Sequence, residues 1–167
     1  TFGEGKKREA TKRTTANARH AIKHHLGRKS PRYAIGRVDL ATIIVVRPNY
    51  DLATEITSKW AEQIVEYAQQ KGFAVIDLYG SAANPERFLE VVKQARPKII
   101  VHYGHGTEDA LLGQNGKPLL TLDNLDLVKG IVFYMICCHS GKKLSQAILD
   151  AGGIAVISYS ETYIFNP

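Results

Sequence analysis

The sequence predicts an α/β fold: a doubly wound, mostly parallel sheet of about five strands with helices on both faces. Three observations predict it. Five short apolar runs lack regular polar alternation, as strands covered on both faces do. Amphipathic stretches with cap signals stand between most of them. Strand–helix alternation requires crossovers, and right-handed crossovers wind helices over both faces of one sheet. A chain of 167 residues is long enough for one domain with its own core.

The elements follow in order. Residues 41–46 form the first apolar run, stopped by Arg47-Pro48-Asn49. Residues 51–70 read as a helix with Leu52, Ile56, Trp60, Ile64 and Tyr67/Ala68 on its inner side and Gly72 as its stop. Residues 73–79 are the second strand. Asn84 caps a helix that Pro85 opens and that runs to Ala95, with Phe88, Leu89, Val91 and Val92 inward. Residues 98–103 are the third strand. Residues 111–120 contain Gly113, Asn115 and Gly116 and read as a small hairpin. A helical turn over 121–127 leads to the fourth strand, 131–137. A helix over 141–151 ends at Gly152-Gly153, and residues 154–159 are the fifth strand.

Charge divides the chain. Residues 1–37 hold 11 Lys/Arg against Glu4 and Glu9, a local net of +9. Residues 38–167 hold 11 Lys/Arg against 14 Asp/Glu, a net of −3. The overall +6 therefore belongs to a basic N-terminal arm or linker, and a mildly acidic α/β domain follows it. Glu9 to Leu26 is compatible with a helix closed by Gly27, but its alanine face buries little. Three readings of the arm stay open: a solvated tail, a polyanion-binding arm, and a docking or cleavable segment for an assembly partner. No aromatic interleaving supports base stacking. His20, His24 and His25 have helical spacing but no third ligand nearby, so no metal or other cofactor is expected.

The two cysteines, Cys137 and Cys138, are adjacent, and neighbouring cysteines rarely bridge each other. A reducing, cytoplasmic setting is expected. No run approaches the ~18 apolar residues of a spanning helix. No signal-peptide pattern opens the chain, and no membrane association is expected. The first residue is not Met, as in a processed product or a fragment.

Two blocks carry chemistry. The third strand runs into His102-Tyr103-Gly104-His105-Gly106, and the fourth into Cys137-Cys138-His139-Ser140-Gly141. In an open parallel sheet, chemistry collects at the carboxyl ends of the strands. One imidazole and one thiol thus reach the same sheet edge, as a Cys–His nucleophile pair requires. Cys138 precedes a helix whose free amides and dipole would favour a thiolate and hold an oxyanion. Alternation sends Cys137 and Cys138 to opposite sides, one into the core and one to the reactive side, without saying which. Glycines on both sides of His105 allow close approach to a substrate, and the Gly106 amide is an oxyanion-hole candidate beside that of Cys138. His102, inside the strand, reads as a structural histidine. Alternation scatters His102, His105, Cys138 and His139, which argues against a metal site.

These residues resemble the caspase–hemoglobinase fold cysteine peptidases, most closely the CHAT-domain and gingipain-like branch. The matching segments are Tyr103-Gly104-His105-Gly106, the hairpin over 111–116, Leu120-Thr121-Leu122-Asp123-Asn124-Leu125, Cys138-His139-Ser140-Gly141 and Gly152-Gly153-Ile154-Ala155-Val156-Ile157. Their order and spacing cover residues 40–160. The resemblance implies a cysteine-type endopeptidase, with Cys138 as nucleophile, His105 as general base and acid, and a peptide or protein substrate. It also implies a pocket for the residue before the scissile bond, beside the nucleophile and lined by the segment after the fifth strand. There Glu161 is the only charge over 158–163, suited to a basic substrate side chain, with Asp109 as the rival carboxylate.

Two other readings compete. One is a catalytically silent scaffold of the same fold whose basic arm binds nucleic acid or an assembly partner. The other is a flavodoxin-like or receiver-type domain. Arg47-Pro48-Asn49-Tyr50 offers neither a phosphate loop nor an acidic cluster for that.

Overall fold

A computed structural model describes residues 41–164. The reading of 1–37 as a basic arm lies outside those residues.

Five parallel strands form one sheet. β1 (Thr42–Arg47) pairs with β2 (Ala74–Tyr79) on one side and β3 (Ile99–Tyr103) on the other. Between β3 and the next sheet strand stands an antiparallel hairpin of β4 (Ala110–Leu112) and β5 (Pro118–Thr121). β6 (Val132–Ile136) pairs with β3, and β7 (Ala155–Ile157) pairs with β6. The sheet order is β2-β1-β3-β6-β7. The chain winds outward from β1 to β2, then returns to β3 on the far side of β1. The switch point of the sheet is therefore between β1 and β3.

Three helices cover the sheet: α1 (Leu52–Gln70), α2 (Pro85–Ala95) and α3 (Leu144–Asp150). α1 packs Ala61, Val65 and Ala68 on Ile43, Val45, Val101, Tyr103 and Ile136. On the other face, Phe88 and Val92 of α2 and Leu144 and Ile148 of α3 meet Ile44, Ile100, Phe133 and Met135. The doubly wound α/β sheet with helices on both faces is thus the fold.

Three local expectations are corrected. α1 turns Thr54, Thr57, Ser58, Ala61 and Val65 inward, while Leu52, Trp60 and Tyr67 face outward. Ile64 and Ala68 of the expected inner side do pack on the sheet, and the rest of that side is lined with small residues in place of Leu52, Trp60 and Tyr67. The last helix begins at Leu144, not Gly141. The last strand is an exposed three-residue strand, paired with β6 only among the described residues, and its Ile157 is 57% exposed.

Candidate active site

Register brings the two sequence blocks together. Tyr103 of β3 pairs with Ile136 of β6. His105 and Cys138 each stand two residues further along, so each continues the side of its strand that Tyr103 and Ile136 occupy. That side is the α1-covered face. His105, Cys138, Ile136 and Tyr163 line one cavity there, closed by Ala53 and Thr54 of α1.

A third side chain, Asp51, completes the group. Asp51 is the N-cap of α1, and its Oδ1 accepts from the Thr54 N–H at 2.8 Å and from the Thr54 hydroxyl at 2.8 Å. Its second oxygen, Oδ2, accepts from His105 Nε2 at 2.8 Å. Burial pushes this carboxyl up, but the Thr54 amide, His105 and the Thr54 hydroxyl outweigh it and hold it below the ordinary carboxylate range. An ionised carboxylate only accepts, so Nε2 carries a proton in this hydrogen bond and Nδ1 is the ring nitrogen turned to other partners. Tyr50 adds an edge-on ring contact to His105, with centroids 6.0 Å apart.

The two cysteines separate cleanly. Cys137 is buried in the core with Phe133 and Met135, and its thiol donates to Ser140 Oγ at 3.2 Å. Burial pushes that thiol up to about 12, against the Ser140 hydrogen bond, with the neighbouring Cys138 adding to the rise. Cys138 is half-buried at the cavity, and its sulfur accepts from the Tyr163 N–H at 3.3 Å.

The expected helix N-terminus behind Cys138 is not there. α3 starts six residues later, and its leading amides are occupied. The Glu108 carbonyl accepts from the Lys143 and Leu144 N–H groups, at 3.2 and 2.7 Å. Upstream, His139 N–H donates to Glu161 O, Ser140 N–H to Cys138 O and Gly141 N–H to Tyr159 O. Helix-dipole activation of Cys138 is therefore overturned, since the N–H groups over 139–143 are all spent, three on other loops and two on the carbonyls of Cys138 and His139.

The two amides expected at an oxyanion hole are those of Gly106 and Cys138. Gly106 opposes Leu111 in an isolated antiparallel bridge whose hydrogen bonds run through Thr107 and Leu112, not through Gly106 N–H. Among the described residues neither Gly106 N–H nor Cys138 N–H has a partner. A Cβ at position 106 would stand 2.7 Å from Cys137 Sγ and 3.1 Å from the Cys138 carbonyl oxygen. Only glycine lets the His105 loop lie this close to the cysteine turn.

The other singled-out residues lie elsewhere. His102 is fully buried on the opposite face and donates from Nε2 to the Leu112 carbonyl at 2.9 Å. Burial, opposed by that bond and helped by the charge of His105, lowers it to about 4. The structural reading of His102 agrees with this placement, although its Nδ1 is buried without a partner. His139 is in the left-handed region and turns its ring to Ser160 O and Thr162 Oγ1. Among the described residues no three His, Cys, Asp or Glu side chains gather as for a metal ion. Asp109 is exposed and tied to the Thr107 hydroxyl at 2.7 Å. Glu161 is exposed on the segment that touches Cys138 and His139. Neither carboxylate lines the cavity.

No family model, curated protein or solved structure is found to match this chain. Asp51 is the site residue that sequence reasoning missed, while Tyr163 belongs to the segment expected beside the nucleophile and reaches Cys138 through its backbone N–H. Asp51 stands at the head of a predicted helix with Thr54 three residues on. That spacing signals a cap, but not the use of the second carboxylate oxygen.

Proposed function

We propose that this chain is a cysteine-type endopeptidase with Asp51, His105 and Cys138 as its catalytic group. What supports the reading is the cavity wall shared by the half-buried Cys138 and the Asp51-held His105, at the switch point of the sheet. The order of the motifs, similar to caspase–hemoglobinase peptidases, points the same way.

His105 Nδ1 takes the Cys138 proton, and the sulfur attacks the scissile carbonyl carbon. The carbonyl oxygen gains the charge and faces the Gly106 and Cys138 N–H groups. His105 returns its proton to the leaving amine as the C–N bond breaks, leaving a thioester. Water then attacks that thioester, His105 taking its proton and passing it to the departing thiolate. Asp51 fixes the imidazole tautomer throughout. Glu161 is the carboxylate offered to a basic side chain before the scissile bond.

The test is a panel of peptidyl electrophiles, with intact-mass and peptide-level mass spectrometry. An adduct on Cys138 that disappears in His105→Ala supports the peptidase. Equal labelling in wild type and His105→Ala, or labelling that needs no peptide portion, returns the fold to a silent scaffold.

No helix among the described residues is long and apolar enough to cross a membrane.

A further inference from the structure

The opposite end of the sheet holds a different kind of site. A hollow of about 350 Å³ opens where β3 and β6 begin. Lys93 and Arg96 reach it from the end of α2, Lys98 from the start of β3, and Lys129 from the turn before β6. Asp126 is the one carboxylate on its wall. Residues 41–164 carry 11 Lys/Arg against 13 Asp/Glu, so an acidic domain gathers four of its cations around one hollow. Among the described residues none of the four makes an ion pair. Val92, Pro97 and Ile131 form its floor and are buried. An apolar floor lowers the local dielectric and strengthens charge-assisted hydrogen bonds made above it.

Two features fix the frame. Lys98 is pinned by its N–H to Thr42 O at 2.9 Å and by Val132 N–H to its carbonyl at 2.9 Å. Gly130 N–H donates to Gly152 O at 2.9 Å, holding the turn that carries Lys129. Arg96 is strained. It follows α2 in the left-handed region, with φ 45° and ψ 61°, where glycine is the usual residue. The proline that follows restricts it further. A backbone cost kept at a position where glycine would be free points to a use for the arginine side chain.

We propose that this hollow binds a small anion with clustered phosphate groups. Four cations from three segments converge on a concave site of small-molecule size, which suits several phosphates at once. A single carboxylate would engage one or two of them. The site is separated from Cys138 by the length of the sheet, so its failure leaves the peptidase reading untouched, and the reverse.

The test is a titration of the full chain with inorganic triphosphate, followed by amide NMR at two salt concentrations. The expected result is saturable shifts at Lys98, Gly130 and Ile131. The dissociation constant should rise about tenfold or more in Arg96→Gly and in Lys129→Gln, as loss of one charge-assisted bond implies. Higher salt should weaken binding to wild type. Arg96→Gly removes strain with the charge, so it should melt no lower than wild type. Shifts confined to residues 1–37, or an unchanged dissociation constant in both variants, would overturn the proposal.

Discussion

Asp51 Oδ2 and His105 Nε2 are joined by a 2.8 Å hydrogen bond across the sheet switch point, while Asp51 Oδ1 caps α1. One carboxylate thus ties the start of a helix to the imidazole after β3. The cap sets the position of the carboxylate, and the carboxylate sets the tautomer of the ring. The helix cap and the imidazole contact share a single side chain here.

Asp51→Asn separates those two roles. Asparagine is as good an N-cap as aspartate, so the melting temperature should change little. The amide can present its NH₂ to His105 and favour the wrong tautomer. Turnover should fall by about 10² or more, as loss of a ring-orienting carboxylate does elsewhere. The same variant should slow labelling of Cys138 by a peptidyl electrophile. Unchanged turnover would reduce Asp51 to a helix cap.

The cysteines give a second prediction. Cys137 is a buried thiol pushed up to about 12, so it is protonated at neutral pH and shielded. Cys138 opens on the cavity. Native protein treated with iodoacetamide should carry one label, on Cys138, and denatured protein two. Rapid native labelling at Cys137 would contradict the assignment of faces.

Much of this was legible in the sequence, for identifiable physical reasons. Five apolar runs and the Asn84-Pro85 start of α2 are local signals, and each of them formed the expected element near the expected place. His105 and Cys138 line one cavity because they stand equally far beyond strand ends that register aligns, an offset the sequence displays. The faces of Cys137 and Cys138 were not legible, because alternation gives opposition without direction. The inner side of α1 was read correctly at Ile64 and Ala68 and misjudged at Leu52, Trp60 and Tyr67, where Thr54, Thr57 and Ala61 are buried instead. The free helix end behind Cys138 was misjudged because its donors go to the Glu108 carbonyl, 35 and 36 residues upstream of the amides it caps. Long-range hydrogen bonds of that kind leave no periodic trace.

Acid should weaken the domain through His102. An unfolded imidazole titrates near 6.5, and buried His102 near 4. Between those values the unfolded chain binds the extra proton, so stability falls as pH drops from 6.5 and the loss is complete below about 4. A gap of this size corresponds to about 3 kcal/mol. Asp51 acts in a lower window, since its carboxyl is held below 3.8 and its contribution is lost only as pH falls through that depressed value. Urea midpoints measured from neutral pH to about pH 4 should slope downward in wild type and flatten in His102→Gln. Equal slopes would assign the acid sensitivity to other groups.

Gly106 should tolerate no side chain. A Cβ there would sit 2.7 Å from Cys137 Sγ and 3.1 Å from the Cys138 carbonyl oxygen, both on a turn fixed by the core. Gly106→Ala should destabilise by about 1–3 kcal/mol, the range for overpacking. It should also cut turnover by more than the lost stability explains, because it pushes the proposed oxyanion donor away from the sulfur. Gly72→Ala is the contrasting control. Its Cβ meets nothing within 4 Å, and the cost there comes from a φ of +82° alone. Turnover per folded molecule should be unchanged in Gly72→Ala and reduced in Gly106→Ala. If the two variants behave alike, the close approach at Gly106 serves the fold only.

Specificity supplies the last prediction. The segment over 158–164 reaches the site by its backbone: Tyr163 N–H points at the Cys138 sulfur, and Glu161 O receives the His139 N–H. Its one acidic side chain, Glu161, is exposed and lies outside the cavity wall, so it can meet only a substrate side chain that extends past the rim. Lys and Arg have that reach, and a carboxylate pairs with either. Fluorogenic peptides differing only in the residue before the scissile bond should show kcat/KM favouring Arg and Lys. In Glu161→Gln that preference should shrink about two- to fivefold, the range for an exposed ion pair, while turnover of an uncharged peptide stays level. Because the pair is solvent-exposed, added salt should erode the preference in wild type and leave the variant unaffected. Asp109, already bonded to Thr107, should give no such change when replaced by Asn. A preference for acidic residues, or a basic preference that survives Glu161→Gln, would remove Glu161 from substrate recognition.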